Sequence, residues 1–164
     1  MKNIGAEKQL SEYNHVYKEN TAIYRDLSIR LGLNESTFWI LYTLRIEEPP
    51  VTQSDMCAIL AYPKQTVNSA LKKLEQEGLL TLFGERGRGG KPIRLTEAGV
   101  KLAEQTVDLV IESEQKALLD FSVEEQAQLL TLTRRYNEAL SLHFGASARR
   151  EAMSKPRIQL SDHF

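Results

Sequence analysis

Apolar residues recur at helical spacing along most of this chain, and the breaks in that spacing divide it into a series of helices. From about Ala6 to Leu31, the positions Leu10, Tyr13, Tyr17, Tyr24, Leu27 and Leu31 fall at intervals of three, four and seven, with Val16, Ala22 and Ile23 widening the stripe. A stripe this wide predicts a long helix buried on two sides, against its own domain and against a second subunit. A helix packed on its own core alone would show the same periodicity. Gly32 interrupts the pattern, and Asn34 is placed to N-cap a second helix running to about Ile46. That helix is dense in aromatics. Phe38, Trp39 and Tyr42 either line a pocket for a small ligand or form the core where two lobes meet.

Glu47-Glu48-Pro49-Pro50 ends the second helix, because two prolines cannot continue it. Thr52-Gln53-Ser54-Asp55 has the spacing of a capping box and predicts a short helix with Met56, Ile59 and Leu60 on its apolar side. Ala61-Tyr62 makes a tight connection, and Pro63 suits the first turn of the next helix, where its missing N–H costs nothing. On a wheel of about 100° per residue, Val67, Ala70, Leu71 and Leu74 share one narrow sector. Gln65, Asn68, Ser69, Lys72 and Gln76 lie opposite, with Thr66 and Lys73 on a flank and Glu75 and Glu77 to the sides. Amides and hydroxyls read base edges and lysines neutralise phosphate. A short capped helix, a tight turn and a helix with such a face make helix-turn-helix geometry.

Gly78 is the expected C-terminal stop. Leu79 to Phe83 and Pro92 to Leu95 then predict a two-stranded ribbon, with Pro92 suited to an edge. The tip between them is rich in glycine and carries Arg86, Arg88 and Lys91 against the single acid Glu85. Thr96 opens a helix predicted to run to about Leu119, with Leu102, Val107, Val110, Ile111, Ala117 and Leu118 apolar. Ser122-Val-Glu-Glu125 is a second capping box, starting a last strong helix with Leu129, Leu130, Leu132, Tyr136 and Leu140. After Gly145 the chain turns polar and basic and is interrupted by Pro156, which predicts a frayed extension or mobile tail.

Composition narrows the function classes. The chain has 164 residues, enough for one domain with a real core or two small lobes sharing one. Lys plus Arg (21) nearly balance Asp plus Glu (22), so any cationic surface has to be local. It is local: Val51 to Lys101 holds eight Lys or Arg against five Asp or Glu, a net of +3 in an otherwise acidic chain. Apolar runs such as Phe38 to Tyr42 are far short of a membrane span, and the start lacks the apolar stretch of a signal peptide. One cysteine, Cys57, cannot form an intrachain disulfide, and a cytoplasmic location is expected. His15, His143 and His163 are scattered, no phosphate-cradling motif appears, and neither a metal, a cofactor nor an enzymatic activity is expected.

The helix ending in Leu74-Glu75-Gln-Glu-Gly78-Leu79-Leu80, its Thr66-Val67 start, the basic tip, and Leu95-Thr96-Glu-Ala-Gly99 together resemble the MarR family of winged-helix transcriptional regulators. The resemblance covers about Ala6 to Phe144. It implies a mainly α fold with a small β-wing, in which long N- and C-terminal helices form a dimerisation layer. Residues 1–46 and 99–145 would supply that layer, 47–98 the winged helix-turn-helix lobe, and 146–164 the tail. The recognition helix would be Pro63 to Glu77 and the wing Leu80 to Leu95.

The resemblance further implies a homodimer on double-stranded DNA at a pseudo-palindromic operator, with release by a small, often aromatic, molecule. No membrane is involved in that picture. Two departures stand out. The wing of the family usually pairs an Asp with arginine where this chain has Gly87-Arg88-Gly89, leaving Glu85-Arg86 as a shifted equivalent. Tyr-Pro-Lys-Gln opens the recognition helix in place of small cap residues.

Gln65, Thr66, Asn68 and Ser69 are therefore assigned to base edges, and Lys64, Lys72 and Lys73 to phosphates. Arg86 or Arg88 would go to the minor groove or its walls, with Lys91 on the backbone and Gln53 among the DNA contacts. Phe38, Trp39 and Tyr42 are the candidate effector contacts. Two alternatives remain: a winged-helix module that binds only protein, and a redox-responsive regulator using Cys57. Against the second, no cation neighbours Cys57 in sequence to favour its thiolate, which suits a small buried residue better.

Overall fold

The computed structural model describes residues 4–83 and 90–154. In chain order they form α1 (Ile4–Arg30), α2 (Glu35–Ile46), β1 (Val51–Thr52), α3 (Gln53–Leu60) and α4 (Lys64–Gln76). There follow β2 (Leu80–Leu82), β3 (Pro92–Leu95), α5 (Glu97–Gln105), α6 (Val107–Leu119) and α7 (Val123–Ser154). The chain separates into two compact units, Met1–Glu114 and Gln115–Phe164.

In the first unit α2 is the shared wall between two apolar clusters. Ile40 packs with Val51, Met56, Val67, Leu71 and Leu74, while Phe38 and Leu41 pack with Ala103, Val107 and Val110. Each fully buried side chain of this size contributes roughly 1.5–3 kcal/mol by leaving water. Tyr24 and Leu27 of α1 lean on the second cluster, but farther toward its N-terminus the α1 stripe is exposed. Val16 is 64% exposed and Tyr17 61%. The second unit shows the same contrast, for Leu130, Leu132, Leu142 and Phe144 of α7 are all exposed.

The helix ends follow from local chemistry. Asn34 accepts from the Thr37 N–H (2.9 Å) and caps α2 as its sequence position predicts. Thr52 and Asp55 form the full capping box on α3: the Asp55 N–H donates to Thr52 Oγ1 (3.2 Å), and the Thr52 N–H donates to Asp55 Oδ2 (2.9 Å). Asp55 titrates below the usual carboxylate range because the Thr52 hydroxyl and N–H both donate to it. In the second unit Ser122 and Glu125 repeat the device at α7.

Helix α4 ends in a Schellman turn. Gly78 takes φ +71°, its N–H donates to the Glu75 carbonyl, and the Leu79 N–H donates to the Leu74 carbonyl (2.9 Å). The Leu-Thr-Glu-Ala-Gly motif then locks onto this corner. Thr96 Oγ1 donates to the Gly78 carbonyl (2.6 Å) and accepts from the Gly99 N–H (3.1 Å). A Cβ on Gly99 would lie 1.9 Å from the Leu79 carbonyl oxygen, so glycine is required for this close approach.

Several elements depart from the sequence reading. The ribbon gains a third strand, since β1 pairs with β3 (Val51↔Ile93, Thr52↔Pro92) and gives the antiparallel order β1-β3-β2. Pro92 thus lies in the central strand and not at an edge. It is tolerated because it is that strand's first residue, where a missing N–H breaks no interior rung, and its carbonyl accepts from the Phe83 N–H (2.9 Å).

Pro63 is the N-cap of α4, one position before the helix proper. Ile59 is exposed on α3 and not part of its buried face. The helix predicted from Thr96 to Leu119 breaks at Thr106, whose Oγ1 donates to the Leu102 carbonyl (2.6 Å) while its N–H turns to Ala103. Helix α7 continues through Gly145 to Ser154. Residues 155–164 of the expected tail lie outside the described residues.

Candidate nucleic-acid interface

Helix α4 is positioned by three buried side chains, Val67, Leu71 and Leu74, each at most 1% exposed. Ala70 is partly buried beside them. Their burial fixes the rotation of the helix and turns Gln65, Thr66, Asn68, Ser69, Lys72 and Lys73 to solvent, as the wheel predicts. Lys64 is exposed at the first turn. No side chain caps this end and no acid occupies its first turn, so its first N–H groups face outward beside Lys64.

The cations differ in availability. Lys73 Nζ lies 3.8 Å from Glu77 one turn on, a weak exposed pair. Among the described residues, Lys64 and Lys72 have no ion pair.

Helix α3 abuts α4 through Ala61, which holds φ +51° to make the tight turn. Gln53, at the start of α3, is partly buried, and its side chain covers the root of the wing. A Cβ on Gly90, where φ is +92°, would meet Gln53 Oε1 at 3.1 Å. That contact was not legible from sequence; the capping box fixes where α3 starts but not what crosses it. Lys91 is partly buried at the same root. Arg86 and Arg88 lie outside the described residues. On the stem, the Arg94 guanidinium stands 4.6 Å from the centre of the Phe83 ring, a cation–π contact that sequence reasoning missed.

The aromatic cluster of α2 divides. Phe38 is fully buried and lines neither neighbouring cavity. Trp39 and Tyr42 line a cavity of about 350 Å³ between α2 and the α3–α4 connection, together with Ile46, Glu47, Ile59 and Tyr62. Trp39 also borders a second cavity of about 300 Å³ between α1 and α2, beside Tyr24 and Glu35. Around them the phenols are tied outward. Tyr42 donates to Glu114 Oε2 (2.6 Å), Tyr24 donates to Glu114 Oε1, and Tyr62 donates to Glu35 (3.3 Å). Burial first and the Glu114 carboxylate second push the Tyr24 and Tyr42 phenols far above their ordinary range. Arg45 clasps Asp108 through two nitrogens (2.8 and 2.6 Å) and joins α2 to α6.

Cys57 is half-buried against the lobe core. Among the described residues there is no cluster of acids, histidines or cysteines that could hold a metal ion, and no helix is long and apolar enough to cross a membrane.

A capped short helix, a tight turn, an exposed polar helix and a three-stranded ribbon define a winged helix-turn-helix protein. Residues 31–89 match the MarR family model, so the resemblance read from the sequence is borne out and the chain has the fold of the MarR family transcriptional regulators. It is similar to a MarR family regulator from Neisseria meningitidis (24% identity over 85% of this chain and 98% of that one, TM-score 0.74). It is also similar to MepR of Staphylococcus aureus, solved as a DNA complex (23% identity, 78% and 96% covered, TM-score 0.63). MarR of Staphylococcus aureus, solved with salicylate and kanamycin, is a third (18% identity, 84% and 93% covered, TM-score 0.61). No curated protein matches the sequence significantly.

Proposed function

We propose that this protein is a sequence-specific, double-stranded-DNA-binding transcriptional regulator of the cytoplasm. It acts as a homodimeric repressor at a pseudo-palindromic operator and is released by a small-molecule effector. The observation that carries the reading is the division of α4: three buried apolar residues hold it, and its free face offers amides, hydroxyls and lysines. MepR, of the same fold, was solved on DNA.

In this reading Gln65, Thr66, Asn68 and Ser69 meet base edges, while Lys64, Lys72 and Lys73 meet phosphates. Arg86 or Arg88 enters the minor groove, and Gln53 and Lys91 act at the wing root. The uncovered apolar residues of α1 and of α7 support self-association. The cavities around Trp39, and the salicylate and kanamycin held by MarR of Staphylococcus aureus, support an effector.

The test is binding to the DNA upstream of the protein's own gene. A shift and a footprint over two half-sites about one helical turn apart are expected. Asn68→Ala should relax sequence preference by ~1–3 kcal/mol at one base pair. Arg86→Ala with Arg88→Ala should flatten the slope of log affinity against log salt, because fewer counterions are released. No shift and no heparin retention at low salt would favour the protein-binding alternative.

A further inference from the structure

The cavity between α2 and the α3–α4 connection carries a specific chemistry. Three of its walls are aromatic, Trp39, Tyr42 and Tyr62, and Ile46, Ile59 and Leu60 supply the apolar remainder. Among the described residues its lining holds no Lys, Arg or His. The hydroxyl donors are already committed elsewhere. Tyr42 donates to Glu114 (2.6 Å), Tyr62 to Glu35 (3.3 Å), and Thr43 Oγ1 to the Trp39 carbonyl (2.8 Å). The Glu47 N–H is also spent, on the Thr43 carbonyl (3.0 Å). What stays free is an acceptor: Glu47 is among the lining residues, and its carboxylate has no ion pair or hydrogen bond among the described residues.

A carboxylate ligand entering this space would find neither a cation nor a free hydroxyl to receive it, and would face Glu47. A cation would find the opposite. Indole and phenol faces attract positive charge, and a phenol that donates a hydrogen bond to a carboxylate carries a more electron-rich ring. We propose that this cavity binds a monovalent organic cation with a compact aromatic or branched apolar body, its charge held between Trp39, Tyr42 and Tyr62 and balanced by Glu47. This names the chemical class of the effector and rests on the regulator reading for its consequence, but binding itself can be measured without DNA. A cavity of about 350 Å³ suits a body the size of one substituted ring.

Trp39 is the one tryptophan of the chain, so intrinsic fluorescence reports on the two cavities it borders, and Glu47, which lines the first and not the second, tells them apart. The whole protein is titrated with phenyltrimethylammonium, with its neutral isostere tert-butylbenzene, and with salicylate. Saturable quenching by the cation is expected, with the neutral isostere at least tenfold weaker and salicylate silent. Glu47→Gln, at an exposed helix end, should weaken the cation five- to tenfold and leave tert-butylbenzene unchanged. Salicylate binding as tightly as the cation, an unchanged cation affinity in Glu47→Gln, or no quenching by the cation would each overturn the proposal. DNA shift assays with and without phenyltrimethylammonium are run separately. A protein that fails to bind DNA yet is quenched as described sinks the regulator reading and leaves the cation site standing.

Discussion

Helices α4 and α1 are both amphipathic, and they use that property in opposite ways. In α4 every large apolar side chain is hidden: Val67, Leu71 and Leu74 are buried, and the exposed positions are all polar. In α1, Leu10, Val16, Tyr17 and Ile23 stand in water, while only the last turns pack against α2. Periodicity alone cannot separate the two cases, because an apolar stripe reports that a face wants cover and not what covers it. Among the described residues the lobe around α4 buries its own apolar side chains, whereas the N-terminal part of the α1 stripe stays exposed.

That contrast can be broken or sharpened by substitution. The largest expected effect is at the hidden face: Leu71→Ala should cost about 2–5 kcal/mol in denaturant unfolding. Val16→Ala, on the open face, should change unfolding of the isolated chain by less than about 0.5 kcal/mol. If Val16→Ala proves as costly as Leu71→Ala at every protein concentration, α1 is covered from within and the contrast fails. Gly99→Ala comes next at about 1–3 kcal/mol or more, since the new methyl must displace the Leu79 carbonyl; an unchanged melting temperature would show that this corner yields.

Glu114→Gln probes a polar tie that holds the packed end of α1. It should cost about 1 kcal/mol, and spectrophotometric titration should show two tyrosines ionising at lower pH than in the parent. The Asp55 effect is smaller and depends on pH. Its folded pKa is depressed, so its contribution is present above the unfolded value of 3.8 and lost as pH falls through the folded value. Asp55→Asn should therefore lower stability at neutral pH and flatten the loss below about pH 4, read as melting temperature against pH. Smallest is Ala61→Gly, which relieves a left-handed alanine and should add about 0.5 kcal/mol. A decrease there would mean the Ala61 methyl packs usefully in the turn.

Much of the lobe was legible because its signals are local. Asn34, Thr52 with Asp55, and Gly78 act within a few residues of themselves, and the faces of α4 follow from a single period. What escaped depends on distant partners. Strand β1 is two residues long and exists because β3 lies beside it. The break at Thr106 was invisible, since the same threonine could have continued the helix. Tyr24 and Tyr42 meet Glu114 across 90 and 72 residues, beyond any periodic signal. The division of the aromatic cluster into buried Phe38 and cavity-lining Trp39 and Tyr42 likewise needed the neighbouring elements. The base and phosphate assignments on α4 stand as proposals, supported by exposure and chemistry.

Thr52 has a mechanical consequence. It is opposed to Pro92 in the sheet and is also the cap of α3, so the wing's central strand and the helix-turn-helix share one anchor. Through Val51 and Thr52 the ribbon is thus tied to the first turn of α3, so a shift of β3 along its axis is resisted at the start of that helix.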